Sequence, residues 1–176
     1  TYSIVGGTNI TGFLNENEVT FSAIENFNGS EEFTISVSDG EYTDSQSITV
    51  TVEAINDAPI ATQGLSDTTN EDQSVVITLS GSDIDGDNLI FSLNSNATNG
   101  SVVIEGSFAS YTPNQDFNGS DSFLFSVSDG SLSDEASVTL TVNAVNDAPV
   151  LVAIDDVFFD EDTSSSISLT ASDVDN

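Results

Sequence analysis

A repeat with a fixed period constrains this chain more than any other feature of its sequence. The phrase FNGS at 27–30 returns at 117–120, and NDAP at 56–59 returns at 146–149, in both cases 90 residues later. The same spacing relates VSDG at 37–40 and 127–130, ED at 71–72 and 161–162, and SDID at 82–85 to SDVD at 172–175. A constant period without insertions indicates one structural unit repeated in tandem. Because the repeated phrases are mostly acidic, we expect them to serve a purpose that every unit shares.

The charge of the chain has a single sign. There are 30 acidic residues and no Lys, Arg or His, which gives a formal net charge of −30. Such a surface repels nucleic acid and anionic membranes, and it attracts cations. Because His and Cys are absent, zinc and copper lack their usual ligands. The remaining carboxylate, amide and hydroxyl oxygens suit Ca²⁺ or Mg²⁺.

The composition also restricts the classes of protein to which this chain can belong. A hydrophobic content of 37% with 11 Phe is enough for a core, so the chain is not a disordered acidic tail. It has no Cys and therefore no disulfide, and no apolar run approaches the roughly 18 residues of a membrane span. Because Thr1 is not followed by a signal-like segment, we expect a piece of a longer protein. The absence of trypsin sites fits an extracellular, cell-surface location.

Apolar residues alternate with polar ones in short runs, which is the pattern of strands with one buried face. Turn-forming pairs such as Asp85-Gly86, Asn99-Gly100 and Asp129-Gly130 separate the runs. The predicted strands of the complete copy lie near 60–63, 74–80, 88–94, 101–105, 107–112, 121–128 and 136–145. Seven short strands in such a length predict an all-β chain of tandem seven-stranded antiparallel β-sandwiches, arranged end to end.

The period divides the chain at its two NDAP phrases. Residues 1–55 are expected to be the C-terminal part of a first repeat, and 60–145 a complete repeat. Residues 150–176 are then the N-terminal part of a third repeat. The segments 56–59 and 146–149 are the linkers, where a proline stiffens the exit.

The phrases in this order resemble cadherin-like repeats. FSVSDG at 125–130, VTLTV at 138–142 and VNDAP at 145–149 carry the resemblance, which covers the whole chain. More closely, the chain is similar to the bacterial tandem repeats of giant secreted surface adhesins, which share YTP at 111–113 and DIDGD at 83–87. The resemblance implies an Ig-like sandwich and a role in cell-surface attachment or in matrix and biofilm formation.

Acidic and amide residues are concentrated in the predicted loops, and in a sandwich the loops gather at two ends. In the complete copy these residues are Asn56, Asp57, Glu71, Asp72, Asp83, Asp85, Asp87, Asp116, Asp121 and Asp129. Because no basic partner exists, carboxylates that converge there repel each other unless a cation lies among them. Three carboxylates at 83–87 exceed what a turn needs, whereas Asp129 stands in an Asp-Gly turn that needs no metal. These residues predict a Ca²⁺ site.

The resemblance to cadherins implies that Ca²⁺ lies between successive repeats. By position, the second junction combines residues from two repeats and a linker: Glu71, Asp72, Asp116, Asp121, Asn146, Asp147, Asp173 and Asp175. The first junction combines Asn26 or Glu31, Asn56, Asp57, Asp83, Asp85 and Asp129. Cadherin linkers carry an acid before the Asn-Asp pair and an amide after it. Here alanines stand at 54, 58, 144 and 148, which implies fewer ions per junction than the full cadherin arrangement.

Two classes of function remain open after catalysis is set aside. The chain has no His, Cys or Lys to act as a base or nucleophile. A carboxylate pair hydrolyses glycosides only with a cleft and unequal pKa values, which repeated turns do not supply. The favoured function is a structural segment stiffened by Ca²⁺. The alternative is a module that recognises a surface glycan or a protein, suggested by Phe158-Phe159 where the complete copy has Thr68-Thr69.

The two incomplete copies complement each other. Residues 1–55 lack the first strands of a sandwich, and residues 150–176 correspond to those strands. Half a sandwich leaves its core open and its strand edges unpaired. We therefore expect neighbouring copies to join head to tail, with 150–176 of one chain completing 1–55 of the next.

Overall fold

The computed structural model of the chain describes residues 1–175. It contains sixteen strands, and within these residues no helix is long and apolar enough to cross a membrane. The chain divides into two compact units, one spanning Thr1–Asp57 and the other beginning at Ala58. The predicted all-β class is therefore correct.

The first unit contains five strands. These are β1 (Tyr2–Gly6), β2 (Ile10–Asn15), β3 (Glu18–Ala23), β4 (Gly29–Ser38) and β5 (Thr43–Val52). Strand β4 pairs antiparallel with β1 and β5, and β2 pairs with β3. Only 1% of Phe33 and 2% of Ile10 is exposed, and the Phe33 ring lies edge-on to Phe21 with centroids 5.0 Å apart. These side chains form a small core.

The second unit contains a complete sandwich followed by a pair of two-residue strands. The sandwich strands are β6 (Ile60–Ala61), β7 (Leu65–Asn70), β8 (Val75–Thr78), β9 (Gly81–Ser82), β10 (Ile90–Ser95), β11 (Gly100–Glu105), β12 (Phe108–Pro113), β13 (Gly119–Ser128) and β14 (Ser133–Asn143). Strands β15 (Val150–Leu151) and β16 (Ala171–Ser172) follow and pair with each other.

Two sheets enclose the core of the sandwich. One has the order β10-β13-β14-β7, the other has the order β11-β12-β8, and β6 pairs with β9. The inward residues of β13 and β14 alternate strictly, and Phe125, Val127, Val138 and Leu140 are completely buried. At about 1.5–3 kcal/mol for each large apolar side chain removed from water, these layers provide the main stabilisation of the unit.

Strands β7 and β9 are additions to the predicted pattern. The β7 residues are LSDTTN, with Leu65 as their single large apolar side chain, so no alternation marks them in the sequence. The strand forms because it pairs in parallel with β14, from Leu65 opposite Val138 to Asn70 opposite Asn143. The sandwich is therefore antiparallel except at this edge.

The 90-residue spacing is visible in the strands as well as in the sequence. Strands β2 to β5 begin 90 residues before β11 to β14, and β4 pairs with β5 in the same register as β13 with β14. Left-handed backbone also recurs, at Asn26 and Asp116 with φ of 58° and 56°, and at Asp72 and Asp162 with 59° and 61°. Non-glycine residues seldom adopt this conformation, which often accompanies functional sites.

Candidate metal centre

The parallel pairing of β7 and β14 brings two distant parts of the chain to the same end of the sandwich. Because parallel strands run in one direction, the residues after Asn70 and after Asn143 leave the sheet side by side. The turn that leads into β13 lies at this end too, since Gly119 pairs with Val142. The ends of three strands thus surround the linker after β14.

Glu71 is held against this linker. Its backbone N–H donates to the carbonyl of Asn143 at 2.9 Å, and the N–H of Val145 donates to the Glu71 carboxylate. Only 4% of Glu71 is exposed, which is unusual for a charged residue. The Glu71 carboxylate is therefore fixed at the start of the linker rather than solvated.

The linker residue Asp147 contacts the loop that follows β16. The N–H of Asp147 donates to Asp175 Oδ2 at 2.7 Å, and the N–H of Asp175 donates to Asp173 Oδ1 at 2.9 Å. One carboxylate oxygen from each of Glu71, Asp147 and Asp175 lies within 4.8 Å of the other two. These three residues are the first acidic cluster.

Asp147 also belongs to a second acidic cluster, with Asp72 and Asp116. One oxygen from each of the three again lies within 4.8 Å of the others. Asp72 and Asp116 are both left-handed, and the N–H of Asp116 donates to Asp72 Oδ1 at 3.2 Å. This backbone conformation turns the two carboxylates toward each other at the ends of β7 and β12. A cavity of about 440 Å³ opens here, lined in part by Glu71, Asp72 and Asp147.

Asp147 is the carboxylate that the two clusters share, and no basic side chain offsets its negative charge. Its Oδ2 is buried without a hydrogen-bond partner. Desolvation raises the pKa of Asp147, and the negative charges of Asp116, Asp175, Glu71 and Asp72 raise it further. No Lys, Arg or His exists in the chain to balance these charges. A buried, unpaired carboxylate oxygen among four other acids is the environment that a hard cation stabilises.

A third cluster comprises Asp83, Asp85 and Asp87, which also have oxygens within 4.8 Å of one another. Asp83 Oδ1 accepts the N–H groups of Asp85 at 2.8 Å and Asp87 at 3.3 Å, whereas its Oδ2 is buried without a partner. The bond from Asp175 to Asp173 reproduces this turn 90 residues later. The two loops therefore present their acids in the same way.

The linker amides and Asp129 have local roles. Asn56 Nδ2 donates to the carbonyl of Asp57 at 3.0 Å, and Asn146 Nδ2 donates to that of Asp147 at 2.6 Å, so each amide braces its own linker. Asp129 Oδ1 accepts the N–H groups of Ser131 and Leu132 and closes the turn between β13 and β14. Asn56 and Asp57 belong to the first unit, and Asp83, Asp85, Asp87 and Asp129 to the second.

Asp121 lies outside the acidic clusters, contrary to its predicted place at the second junction. Its carboxylate accepts the N–H groups of Thr98 at 3.1 Å and Asn99 at 2.9 Å, together with the Tyr111 hydroxyl at 3.0 Å and its neighbour Ser122 N–H at 2.9 Å. Only 8% of Asp121 is exposed. The residue ties β13 to the loop before β11 and has little capacity left for a metal.

Glu31, ninety residues earlier, plays the same role in the first unit. Its carboxylate accepts the N–H groups of Thr8 at 2.8 Å, Asn9 at 2.9 Å and Ile10 at 2.9 Å, and the side-chain amide of Asn9 at 2.9 Å. The backbone N–H groups of Asn9 and Thr8 are the main cause that lowers the pKa of Glu31 to about 2. The predicted Glu31 ligand at the first junction is thus engaged by backbone amides.

Asp134 has a structural role that its sequence context did not predict. Its Oδ2 accepts the N–H of Ala61 at 2.9 Å and so joins β6 to β14. This backbone bond, with a second from Glu135, lowers the pKa of Asp134. The available signal was the recurrence of an acid at the same place in the repeat, since Asp44 stands 90 residues earlier.

Part of this chain is similar to a known protein family. Residues 56–141 match the model of a family described as the bacterial Ig domain. No curated protein sequence matches the chain. Among solved structures, the chain is similar to protocadherin gammaB7 EC3-6, described as a cis-dimer, with a TM-score of 0.60 and 18% identity over 99% of this chain and 52% of that one.

Human protocadherin-24 EC1-2 is similar with a TM-score of 0.56 and 19% identity, over 84% of this chain and 82% of that one. At these identities the likeness concerns the fold, which is that of cadherin domains. An endo-fucoidan hydrolase of glycoside hydrolase family 107 has 23% identity but a TM-score of only 0.41, and this chain spans 24% of it. That likeness is too low to bear on activity.

Proposed function

We propose that this chain is a structural segment of a long extracellular adhesin or filament, stiffened by Ca²⁺ at the junctions between its repeats; the match of residues 56–141 to the bacterial Ig domain and the cadherin-like fold support this. The observation that carries the proposal is the buried, unpartnered Asp147 Oδ2, shared by two acidic clusters. Such a segment serves cell-surface attachment or the formation of a matrix or biofilm. It acts by position and stiffness and carries out no catalysis.

The ligand set supports a hard divalent cation. Glu71, Asp147 and Asp175 form one candidate site, and Asp72, Asp116 and Asp147 form the other. All of these are oxygen donors, and they lie on turns and a linker rather than on one rigid element. Ca²⁺ accepts six to eight oxygens in flexible geometry, whereas Mg²⁺ requires a near-ideal octahedron and keeps several waters. The donor set therefore favours Ca²⁺.

The proposed mechanism is electrostatic. Without a cation, the carboxylates of Glu71, Asp147 and Asp175 repel one another and favour separation of the linker from the elements on either side. A bound cation removes the repulsion and links three parts of the chain: the end of β7, the linker, and the loop after β16. Residues 150–175 then become fixed to the complete sandwich, and a series of such junctions becomes an extended rod.

The proposed division of the chain follows from this mechanism. Residues 1–55 and 60–145 belong to successive repeats, joined by the linker 56–59. Residues 150–176 begin a third repeat, after the linker 146–149. The partners of the segment are neighbouring repeats of the same kind, in head-to-tail order.

A second candidate function is recognition of a surface glycan or a protein. Phe158 and Phe159 are 88% and 64% exposed, and a groove of about 600 Å³ lies along the residues from Val152 to Thr170. Exposed aromatic rings are common anchors at binding surfaces. Specific binding of this chain to an immobilised glycan panel, lost on Phe158→Ser, would favour this function.

Small-angle X-ray scattering tests the structural function. We expect the radius of gyration and the maximum dimension to increase when excess chelator is replaced by about 10 mM Ca²⁺, roughly ten to a hundred times the dissociation constant of extracellular modules. Equal concentrations of Mg²⁺ serve as the control and should leave the chelator curve nearly unchanged. Superimposable curves in chelator and in Ca²⁺ would contradict the proposed stiffening.

A further inference from the structure

The edge strand β7 of the complete sandwich contributes backbone pairing rather than apolar burial. Leu65 is its single large apolar side chain, so the strand adds little to the core. It nevertheless pairs with β14 at six consecutive positions, from Leu65 opposite Val138 to Asn70 opposite Asn143. A strand that is kept for its backbone bonds suggests a function for those bonds.

The attachment to β14 begins before β7. The N–H of Ala61 donates to Asp134 Oδ2 at 2.9 Å, and Gln63 Nε2 donates to the carbonyl of Glu135 at 3.0 Å. Asp134 and Glu135 are among the first residues of β14. The chain that enters the sandwich is therefore bound to β14 at the N-terminal end of that strand.

The attachment also continues beyond the end of β7. The N–H of Glu71 donates to the carbonyl of Asn143 at 2.9 Å, and the Glu71 carboxylate accepts the N–H of Val145. Nine residues separate Asp134 from Asn143, which corresponds to roughly 30 Å of strand at about 3.3 Å per residue. Residues 61–71 thus follow β14 from one end to the other.

The direction of the two strands determines how they respond to tension along the chain. The chain enters the sandwich through Ala58 and Pro59, beside the start of β14, and it leaves through residues 144–149, after the end of β14. Because β7 and β14 are parallel, tension pulls them in opposite directions along a common axis. The backbone hydrogen bonds run across the strands, so all of them are loaded at the same time.

The entering segment has a second, weaker attachment to the sandwich. Strand β6 pairs with β9 at two positions, Ile60 opposite Ser82 and Ala61 opposite Gly81. Gly64 then has a φ of 75°, a left-handed conformation that glycine adopts without strain, and the chain passes from β9 to β14 around it. Two pairs resist less than six, so the β7–β14 pair carries the larger part of the tension.

We propose that the complete sandwich bears tension along the chain, and that the pairing of β7 with β14 is the element that resists it. The entering strand leaves the sandwich only when its pairs with β14 shear together. This mechanical function goes beyond the proposed stiffening of the junctions. It acts within one repeat through backbone hydrogen bonds, and so it does not rest on the proposed binding of Ca²⁺.

Single-molecule force spectroscopy on the full chain in excess chelator tests the proposal by changing the direction of pulling. Handles are attached through Ala58→Cys and Ala148→Cys, two exposed linker positions in a chain without other Cys. The matched control has handles at Gln73→Cys, an exposed position after β7, and at Ala148→Cys. The control opens the β7–β14 pair from one end, one position at a time. We expect the first geometry to need at least about twice the unfolding force, because the evenly spaced bonds of a parallel pair are then loaded together.

A pair of proline variants tests which strand pair resists the tension. Alternate residues of a paired strand bond to the partner. Glu71 donates to β14, and so Thr69 does as well, whereas the N–H of Thr68 donates to Asp67 Oδ1 at 2.8 Å. Because proline removes the N–H, we expect Thr69→Pro to lower the force at least about 1.5-fold and the matched Thr68→Pro to lower it much less. Thr69→Val keeps the N–H, loses only the hydroxyl bond to Gln73, and should retain the force.

Each outcome separates this proposal from the proposed function. Equal forces in the two pulling directions would overturn the resistance to tension, and equal losses from the two prolines would overturn the assignment to β7 and β14. Circular dichroism shows whether Thr69→Pro folds, and if it does not, the comparison of directions decides on a chain with β7 and β14 intact. A high force in chelator supports the proposal even if Ca²⁺ has no effect on scattering or stability.

Discussion

Replacing Asp147 with asparagine is expected to abolish high-occupancy Ca²⁺ binding, because both acidic clusters share this carboxylate. Asparagine keeps the shape of the side chain but removes the charge. Loss of a residue that only supports a metal ligand typically lowers the affinity 10–100-fold. Loss of the shared ligand should therefore raise the Kd for Ca²⁺ by at least about 100-fold. Isothermal titration of the variant and the unsubstituted chain with Ca²⁺ measures this difference.

Without the cation, the same substitution should not reduce the thermal stability of the chain. Desolvation, followed by repulsion from four acids, raises the pKa of Asp147, and the variant removes both the buried charge and that repulsion. We therefore expect Asp147→Asn to unfold at the same temperature as the unsubstituted chain in chelator, or higher. The matched control is Glu105→Gln, an exposed acid on the β11–β12 hairpin, which should change neither Kd nor stability. Unchanged Ca²⁺ affinity in Asp147→Asn would refute the assignment of the site.

Replacing Asp121 with alanine is expected to cause a large loss of stability. The substitution leaves the N–H groups of Thr98 and Asn99 and the hydroxyl of Tyr111 without their acceptor in a part-buried setting. Each unsatisfied buried donor costs about 1–3 kcal/mol, so we expect a loss of about 3–5 kcal/mol in the free energy of unfolding. Urea unfolding followed by circular dichroism provides the measurement.

The Asp121 loss should be equal in chelator and in Ca²⁺, which distinguishes this residue from Asp147. The first unit suggests a rescue, since it has Phe21 and Glu31 where the sandwich has Tyr111 and Asp121. The double variant Tyr111→Phe, Asp121→Glu should retain more stability than Asp121→Ala, because the longer carboxylate reaches the amides without needing the hydroxyl. A stability loss seen only in Ca²⁺ would instead indicate that Asp121 is a metal ligand.

The alternation of apolar residues predicted the fold because burial on one face of a strand is a property of the strand's own residues. Strand β13 illustrates this, with Phe123, Phe125 and Val127 buried in turn. Strand β7 could not be predicted in this way. Its polar residues carry no pattern, and the strand exists because β14 offers an unpaired edge. Its position depends on a partner some 70 residues away in the chain.

The candidate site was predictable in part for the same reason. Repetition marked the acids that belong to each unit, and Glu71, Asp147 and Asp175 do lie together. Repetition cannot distinguish a carboxylate that faces a cation from one that faces backbone amides, since both recur at the same spacing. Asp121 is the example, because its partners Thr98 and Asn99 are identified by their backbone N–H groups rather than by their side chains.

The parallel pairing of β7 with β14 also brings the acidic residues together in the candidate metal site. Pairing of Asn70 with Asn143 places Glu71 beside the linker, where the N–H of Val145 holds its carboxylate. A sandwich closed by an antiparallel edge strand would direct the chain away from the linker at this point. The geometry of one edge thus decides whether the acids of the linker meet those of the sandwich.

Thermal unfolding of the unsubstituted chain in excess chelator, in about 10 mM Ca²⁺ and in the same concentration of Mg²⁺ tests the central claim most directly. A ligand present at 100 times its Kd stabilises the folded state by about 2.7 kcal/mol, which corresponds to a rise in Tm of about 5–10 °C for a chain of this size. We predict such a rise in Ca²⁺ and a much smaller one in Mg²⁺. Equal melting temperatures in chelator and in Ca²⁺ would contradict the claim that the acidic clusters bind calcium.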